Sequence, residues 1–157
     1  MFIFYHKIHN IAIKFSIYIG PGMNKIVHSY PVLIKEIYLD TFGHVNNAMY
    51  LTLFEEARWD WITAGGFGLE TIKKTRLGPT ILEVNLRYTK ELRLRDAILI
   101  ETQLPTYKGK IGKVQQCMRR DTEICCVAEF TIGLFSLDER KLVFPTPAWL
   151  RAVGMDP

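Results

Sequence analysis

The stretch Asn47–Ala64, NAMYLTLFEEARWDWITA, constrains this chain more than any other. Tyr50, Leu53, Phe54, Ala57, Trp61 and Ala64 recur at helical spacing. Met49, Leu51, Trp59 and Ile62 add apolar surface on the remaining circumference, so only Glu55–Arg58 and Glu56–Asp60 mark a narrow polar strip. A helix this apolar is expected to be mostly enclosed by other structure. Its limits are also written in the sequence: Asn46 or Asn47 can cap the start with a side-chain oxygen, and Gly65-Gly66 stops the end.

The rest of the chain supplies the enclosure. Residues 29–39 are β-branched and aromatic and predict a strand. Residues 40–47 break that pattern as a loop, and 67–77 predict a short helix and loop. After Gly78-Pro79 come four β-rich runs, at 80–89, 97–107, 113–120 and 124–137, separated by the turn-like 108–110 and 120–123. The tail at 144–154 carries two prolines and a terminal helical turn. The predicted class is α+β: an antiparallel sheet of about five strands curled around one long central helix, burying both.

At 157 residues, with 48% hydrophobic and 23% charged residues, the chain has the size and balance of one globular domain rather than a disordered or coiled-coil protein. We assign that domain to residues 23–157. Within the remaining 1–22, residues 1–19 are apolar but interrupted by His6, Lys7, His9, Asn10 and Lys14, and Gly20-Pro21-Gly22 follows. They lack the unbroken apolar run of a membrane span or a secretory signal. A membrane-surface or partner-binding arm is one reading; we prefer an upstream extension or an extra strand. Three cysteines, Cys117, Cys125 and Cys126, give no disulfide framework and suggest reduced thiols in a cytoplasmic protein.

The loop before the central helix holds the chemistry. Asp40, Gly43, His44, Asn46 and Asn47 lie within eight residues at a helix N-terminus. That end presents unpaired N–H groups and the positive end of the helix dipole, which can stabilise an oxyanion developing on a carbonyl. Asp40 can attack such a carbonyl or activate a water. Gly43 lets backbone approach a ligand. The set suits acyl transfer or hydrolysis; there is no Walker loop, no GxGxxG and no metal cluster, so neither metal nor cofactor is expected. The plainer alternatives are a turn-forming Asp40, a packed His44, and asparagines that only cap.

The run Asp40-Thr-Phe-Gly43-His44-Val-Asn46-Asn47-Ala-Met-Tyr50, followed by Glu55-Glu-Ala-Arg58 on the helix and VNLRYTKELRLRDAILIETQL at 84–104, resembles the hotdog-fold acyl-CoA thioesterases of the 4-hydroxybenzoyl-CoA thioesterase / YbgC-like branch. The likeness spans Ser29 to Ala152. It implies that Asp40 is the catalytic carboxylate, as nucleophile or general base. It also implies that the backbone N–H near Asn47 is the oxyanion donor, and that His44 and Asn46 lie near the thioester. His44 is assigned positioning. Plant acyl-carrier-protein thioesterases carry Asn where this chain has Phe42, and the Asp–His spacing does not match the hotdog hydratases. The resemblance further implies a dimer with a continuous sheet and sites at the interface, often paired into a tetramer.

Charge points to a polyanionic substrate. Residues 87–120 hold nine basic side chains against three acidic ones, a net +6 in a chain of net +4. Coenzyme A, with three phosphates, or an acidic acyl-carrier protein would be drawn to such a face, and Arg93, Arg95 and Lys110 are the candidates to contact it. Strand lysines and arginines that merely protect sheet edges are the alternative. Nucleic acid is disfavoured, because no aromatic platforms alternate with the basic residues. Tyr50, Phe54, Phe67, Leu69 and Ile81 are candidates to line an apolar acyl pocket. Two functions remain from the sequence: an acyl-CoA thioesterase, or a catalytically silent hotdog protein that binds acyl-CoA or acyl-carrier protein. The intact Asp40, Gly43 and His44 favour the enzyme.

Overall fold

A computed structural model describes residues 25–103 and 105–157. The N-terminal extension assigned above lies outside the described residues. The predicted helix forms over the predicted residues, α1 (Asn47–Ala64). Asn46 caps it, its Oδ1 accepting from the Ala48 N–H at 2.9 Å. Beyond Gly65, Gly66 adopts φ +87°, a left-handed conformation that costs glycine little and ends the helix.

Among the described residues seven strands form one antiparallel sheet: β1 (Ile26–Leu33), β2 (Leu77–Tyr88), β3 (Ala97–Gln103), β4 (Thr106–Lys108), β5 (Ile111–Arg120), β6 (Glu123–Ser136) and β7 (Lys141–Val143). The five long strands run in the order β1-β3-β5-β6-β2, with β4 paired to β5 and β7 to β6. Two short helices complete the elements of the described residues, α2 (Leu69–Thr75) and α3 (Pro147–Ala152).

Three expectations are corrected in detail. The strand placed at 29–39 starts earlier, at Ile26, and ends at Leu33. The chain then turns through a 3-10 segment, Glu36–Tyr38, closed by Tyr38 N–H to the Lys35 carbonyl and Leu39 N–H to that of Glu36, both 3.1 Å. That turn buries Tyr38 and leaves Lys35 and Glu36 in solvent. The single run at 97–107 is two strands, because Pro105 lacks the N–H that would carry the ladder through. The three-residue β7 escaped prediction because it is too short to show alternation.

The core fills the space between the sheet and one side of α1. Tyr50, Leu53, Phe54, Ala57, Trp61 and Ile62 face it, meeting Ile98, Ile100, Val114, Met118, Phe130 and Ile132 from the strands. Phe54 and Phe130 meet edge-on at 5.9 Å, a favoured aromatic geometry. At the far end of α1, Phe67 packs edge-on against Trp149 of α3 at 5.1 Å. Among the described residues the enclosure expected of α1 is incomplete: Leu51 is 38% and Trp59 39% exposed. The described sheet covers one side of the helix.

Candidate active site

Backbone hydrogen bonds fold residues 38–46 against the start of α1. Leu39 bridges Val45, the Asp40 N–H donates to the His44 carbonyl at 2.7 Å, and the Asn46 N–H donates to the Tyr38 carbonyl at 2.8 Å. The Val45 N–H reaches the Leu92 carbonyl at 2.9 Å, fastening the loop to the β2–β3 connection. Gly43 sits at φ +79° with open space where a Cβ would stand. Its backbone conformation is one that favours glycine whatever space surrounds it.

Asp40 is partly buried at the base of this loop. Its Oδ1 accepts from the Phe42 N–H at 2.8 Å and the His44 N–H at 3.2 Å, an Asx-type turn. Among the described residues no hydrogen bond engages Oδ2. One carboxylate oxygen is thus pinned by backbone, and no described hydrogen bond holds the other. At the helix start, Asn46 occupies the Ala48 N–H through its side chain and the Met49 N–H through its carbonyl, at 2.9 Å each. Among the described residues nothing takes the Asn47 N–H, which is the donor an oxyanion needs.

His44 and Arg93 converge on one acid. His44 Nε2 lies 3.0 Å from Glu91 Oε2. Arg93 Nη2 and Nε lie 2.5 and 2.8 Å from Glu91 Oε1. His44 also bridges Arg93 through the backbone. Sequence reasoning missed Glu91, since its partner His44 stands far away in the chain. It missed Tyr88 too, whose O–H donates to the Asn47 carbonyl at 2.9 Å. The last residue of a strand that the topology returns to the helix start was the available signal.

Other candidates fall elsewhere. Tyr50 is fully buried, and its oxygen accepts from the Leu92 N–H at 3.3 Å. Burial pushes its phenol well above the ordinary tyrosine range, so it stands as a neutral strut beneath the loop. Phe54 and Phe67 are core residues, and Leu69 is exposed. Arg95 pairs with Glu36 at 2.9 Å on the surface beyond Arg93. Lys110 stands at the opposite end of β5 from Arg120, donating to the Leu142 carbonyl at 2.9 Å. Ten strand residues separate that end from the Asp40 loop, roughly 30 Å. The structure therefore gathers Asp40, Gly43, His44, Asn46, Asn47 and Arg93 and leaves Lys110 distant.

Most of the basic segment has local partners. Lys90, Arg93, Arg95, Lys113, Arg119 and Arg120 each pair with a carboxylate. The Arg120 pair with Glu123 holds that carboxyl below its usual range. The pairs of Arg93 and Arg95 are exposed, and exposed pairs are weak enough to exchange for a phosphate. The three thiols are free. Among the described residues, no helix is long and apolar enough to cross a membrane.

A family model described as the thioesterase-like superfamily matches residues 33–153. The chain belongs to that superfamily. The matched span includes the whole loop-and-helix constellation built on Asp40. Among its relatives, the long-chain acyl-CoA thioesterase FadM of Escherichia coli is 29% identical over 107 residues, 68% of this chain and 80% of FadM. The acyl-CoA thioesterase YbgC of Haemophilus influenzae is 27% identical over 119 residues, 74% of this chain and 88% of YbgC. A Staphylococcus aureus protein solved in complex with CoA superposes with a TM-score of 0.77 at 13% identity, covering 88% of this chain and 90% of that one. Its likeness shows that this superfamily member shares the fold, the expected sheet around a central helix.

Proposed function

We propose that this chain is an acyl-CoA thioesterase that hydrolyses a thioester to free acid and CoA. The observation that carries the reading is the pairing of a half-committed carboxylate, Asp40, with a helix start whose Asn47 N–H is unspent. Membership of the thioesterase-like superfamily and the names of the two curated relatives support it.

The carbonyl oxygen of the thioester points at the Asn47 N–H. Asp40 acts in one of two ways. As a base, Oδ2 takes a proton from water while the water oxygen attacks the carbonyl carbon. As a nucleophile, Oδ2 attacks directly, and water then hydrolyses the acyl-aspartyl anhydride. In both, negative charge collects on the carbonyl oxygen, where a fixed N–H and the helix dipole stabilise it. Collapse of that tetrahedral species breaks the C–S bond, on the nucleophile route before the anhydride meets water, and the CoA thiolate takes up the proton that the water gives up. His44, held by Glu91, keeps the loop in register. Arg93 and Arg95 supply exchangeable positive charge for the phosphates of CoA or an acidic acyl-carrier protein, and Lys110 does so only from a second copy or the far end of a long ligand.

The assembly we propose is a homo-oligomer, a dimer or a tetramer of two dimers. β2 ends the sheet, and among the described residues its outer edge has no strand partner. Leu82, Val84 and Tyr88 on it are 46%, 40% and 44% exposed. A long apolar edge of this kind invites pairing, and a second copy would continue the sheet and bring its own surface beside Tyr88 and the start of α1. The protein is proposed to work in the cytoplasm, where its free thiols stay reduced.

The test is thiol release from a panel of aromatic, short-chain and long-chain acyl-CoA substrates and acyl-carrier-protein thioesters, with binding measured in parallel. Release from at least one class is expected. Binding without release from any would replace the enzyme with the silent binder.

A further inference from the structure

The second half of α1 borders a cavity of about 100 Å³ against the sheet and α3. Its apolar wall includes Trp59, Trp61, Ile81, Val114, Ile132 and Trp149, and its charged members are Arg58 and Glu55. Of the residues read from sequence as acyl-pocket candidates, Ile81 lines it. Helical rise places Arg58 roughly 16 Å beyond Asn47, so this cavity is separate from the Asp40 loop.

Arg58 is an unusual occupant of such a wall. Its Nη1 donates to Gln116 Oε1 at 2.9 Å, and its guanidinium lies 4.0 Å over the Phe130 ring. Gln116, itself 2% exposed, spends its own N–H on Thr102 Oγ1 at 2.9 Å. Among the described residues no carboxylate stands within ion-pair distance of Arg58. Glu55, one turn earlier, is exposed and accepts from the Trp59 indole N–H at 3.3 Å. Burial pulls the guanidinium down to about 10, with Glu55 acting the other way. A guanidinium carries five N–H donors in a fork that matches a carboxylate, and here one of the five has a described partner. A partly buried cation with donors to spare, set in a wall of tryptophan and aliphatic side chains, is complementary to an amphiphilic anion.

We propose that this cavity binds a carboxylate with an apolar tail, the carboxylate on Arg58 and the tail among the tryptophans. Two sources share that chemistry: a free fatty carboxylate, and the far carboxyl of a dicarboxylyl thioester whose chain lies along α1 from the Asp40 loop. The binding itself does not depend on thioester hydrolysis; only the second source rests on that proposed function.

All three tryptophans of the chain line the cavity, so intrinsic fluorescence reports its occupancy. The full-length protein is titrated with hexanoate and with the neutral hexan-1-ol. Hexanoate is expected to give a saturable change, with hexanol at least tenfold weaker. Arg58→Gln, checked for folding by circular dichroism, should erase the preference. Ile81→Phe narrows the cavity without touching Arg58 and should weaken both ligands. Equal responses to hexanoate and hexanol, or a preference that survives Arg58→Gln, would overturn the proposal. Should Arg58→Gln fail to fold, undiminished hexanoate binding by Ile81→Phe would overturn it alone. Thiol release from dodecanedioyl-CoA against dodecanoyl-CoA separates the sources: a preference for the former that Arg58→Gln removes assigns the acyl chain, and equal turnover assigns the free carboxylate. Absence of thiol release would sink the thioesterase reading while leaving the fluorescence result to stand.

Discussion

The Tyr88 hydroxyl donates to the Asn47 carbonyl at 2.9 Å, tying the last residue of β2 to the first residue of α1. The Tyr88 ring also packs edge-on against Tyr50 at 5.0 Å. An edge strand thus holds the peptide units at the helix start. Tyr88→Phe keeps the ring contact and removes the hydrogen bond. Stability should fall by about 1 kcal/mol, and kcat several-fold with KM little changed. Melting curves and steady-state kinetics check both; a change in KM alone would assign Tyr88 to substrate binding.

Glu91 joins His44 to Arg93. His44→Ala and Glu91→Gln should each lower kcat by less than loss of the Asp40 charge does. Because they break the same link, the double variant should be no slower than the worse single one. Multiplicative losses in a double-mutant cycle would show that the two act separately.

How legible the site was depended on sequence distance. α1 could be read outright, because its apolar spacing, the Asn46 cap and the glycine stop are local signals. The clustering of the loop was legible for the same reason: Asp40, Gly43 and His44 sit within five residues. Glu91 and Gln116 were not, since each acquires its role from a partner that only the fold brings near. Arg58 looked like a surface residue on a polar strip, yet α1 turns it onto Phe130 and Gln116. Composition alone could not show that several charges of the basic segment pair with Glu36, Glu123 and Glu129 from outside it.

Alkaline pH should destabilise the protein through its thiols. Burial raises Cys117 and Cys126 to about 12 from 9.0. The folded state therefore keeps protons that the unfolded chain releases, so their contribution is full below pH 9 and is lost as pH rises toward 12. Tm should fall across that window, and Cys126→Ala should flatten the fall. A decline of the same steepness in the variant would assign it to other groups.

The open edge of β2 gives a test of assembly. Val84→Lys puts a charge where a second copy would pair. Light scattering at micromolar concentration should show the parent as an oligomer and the variant shifted toward monomer. A parent that is already monomeric would remove the edge-pairing account.

The central claim is that Asp40 activates the attack on the thioester. Asp40→Asn tests it most directly, because an amide oxygen can still accept from the Phe42 and His44 N–H groups and hold the turn while charge and basicity are lost. With the best acyl-CoA substrate, kcat of the folded variant should fall by roughly 10² or more, with KM much less affected. Turnover within a few-fold of the parent would contradict the account.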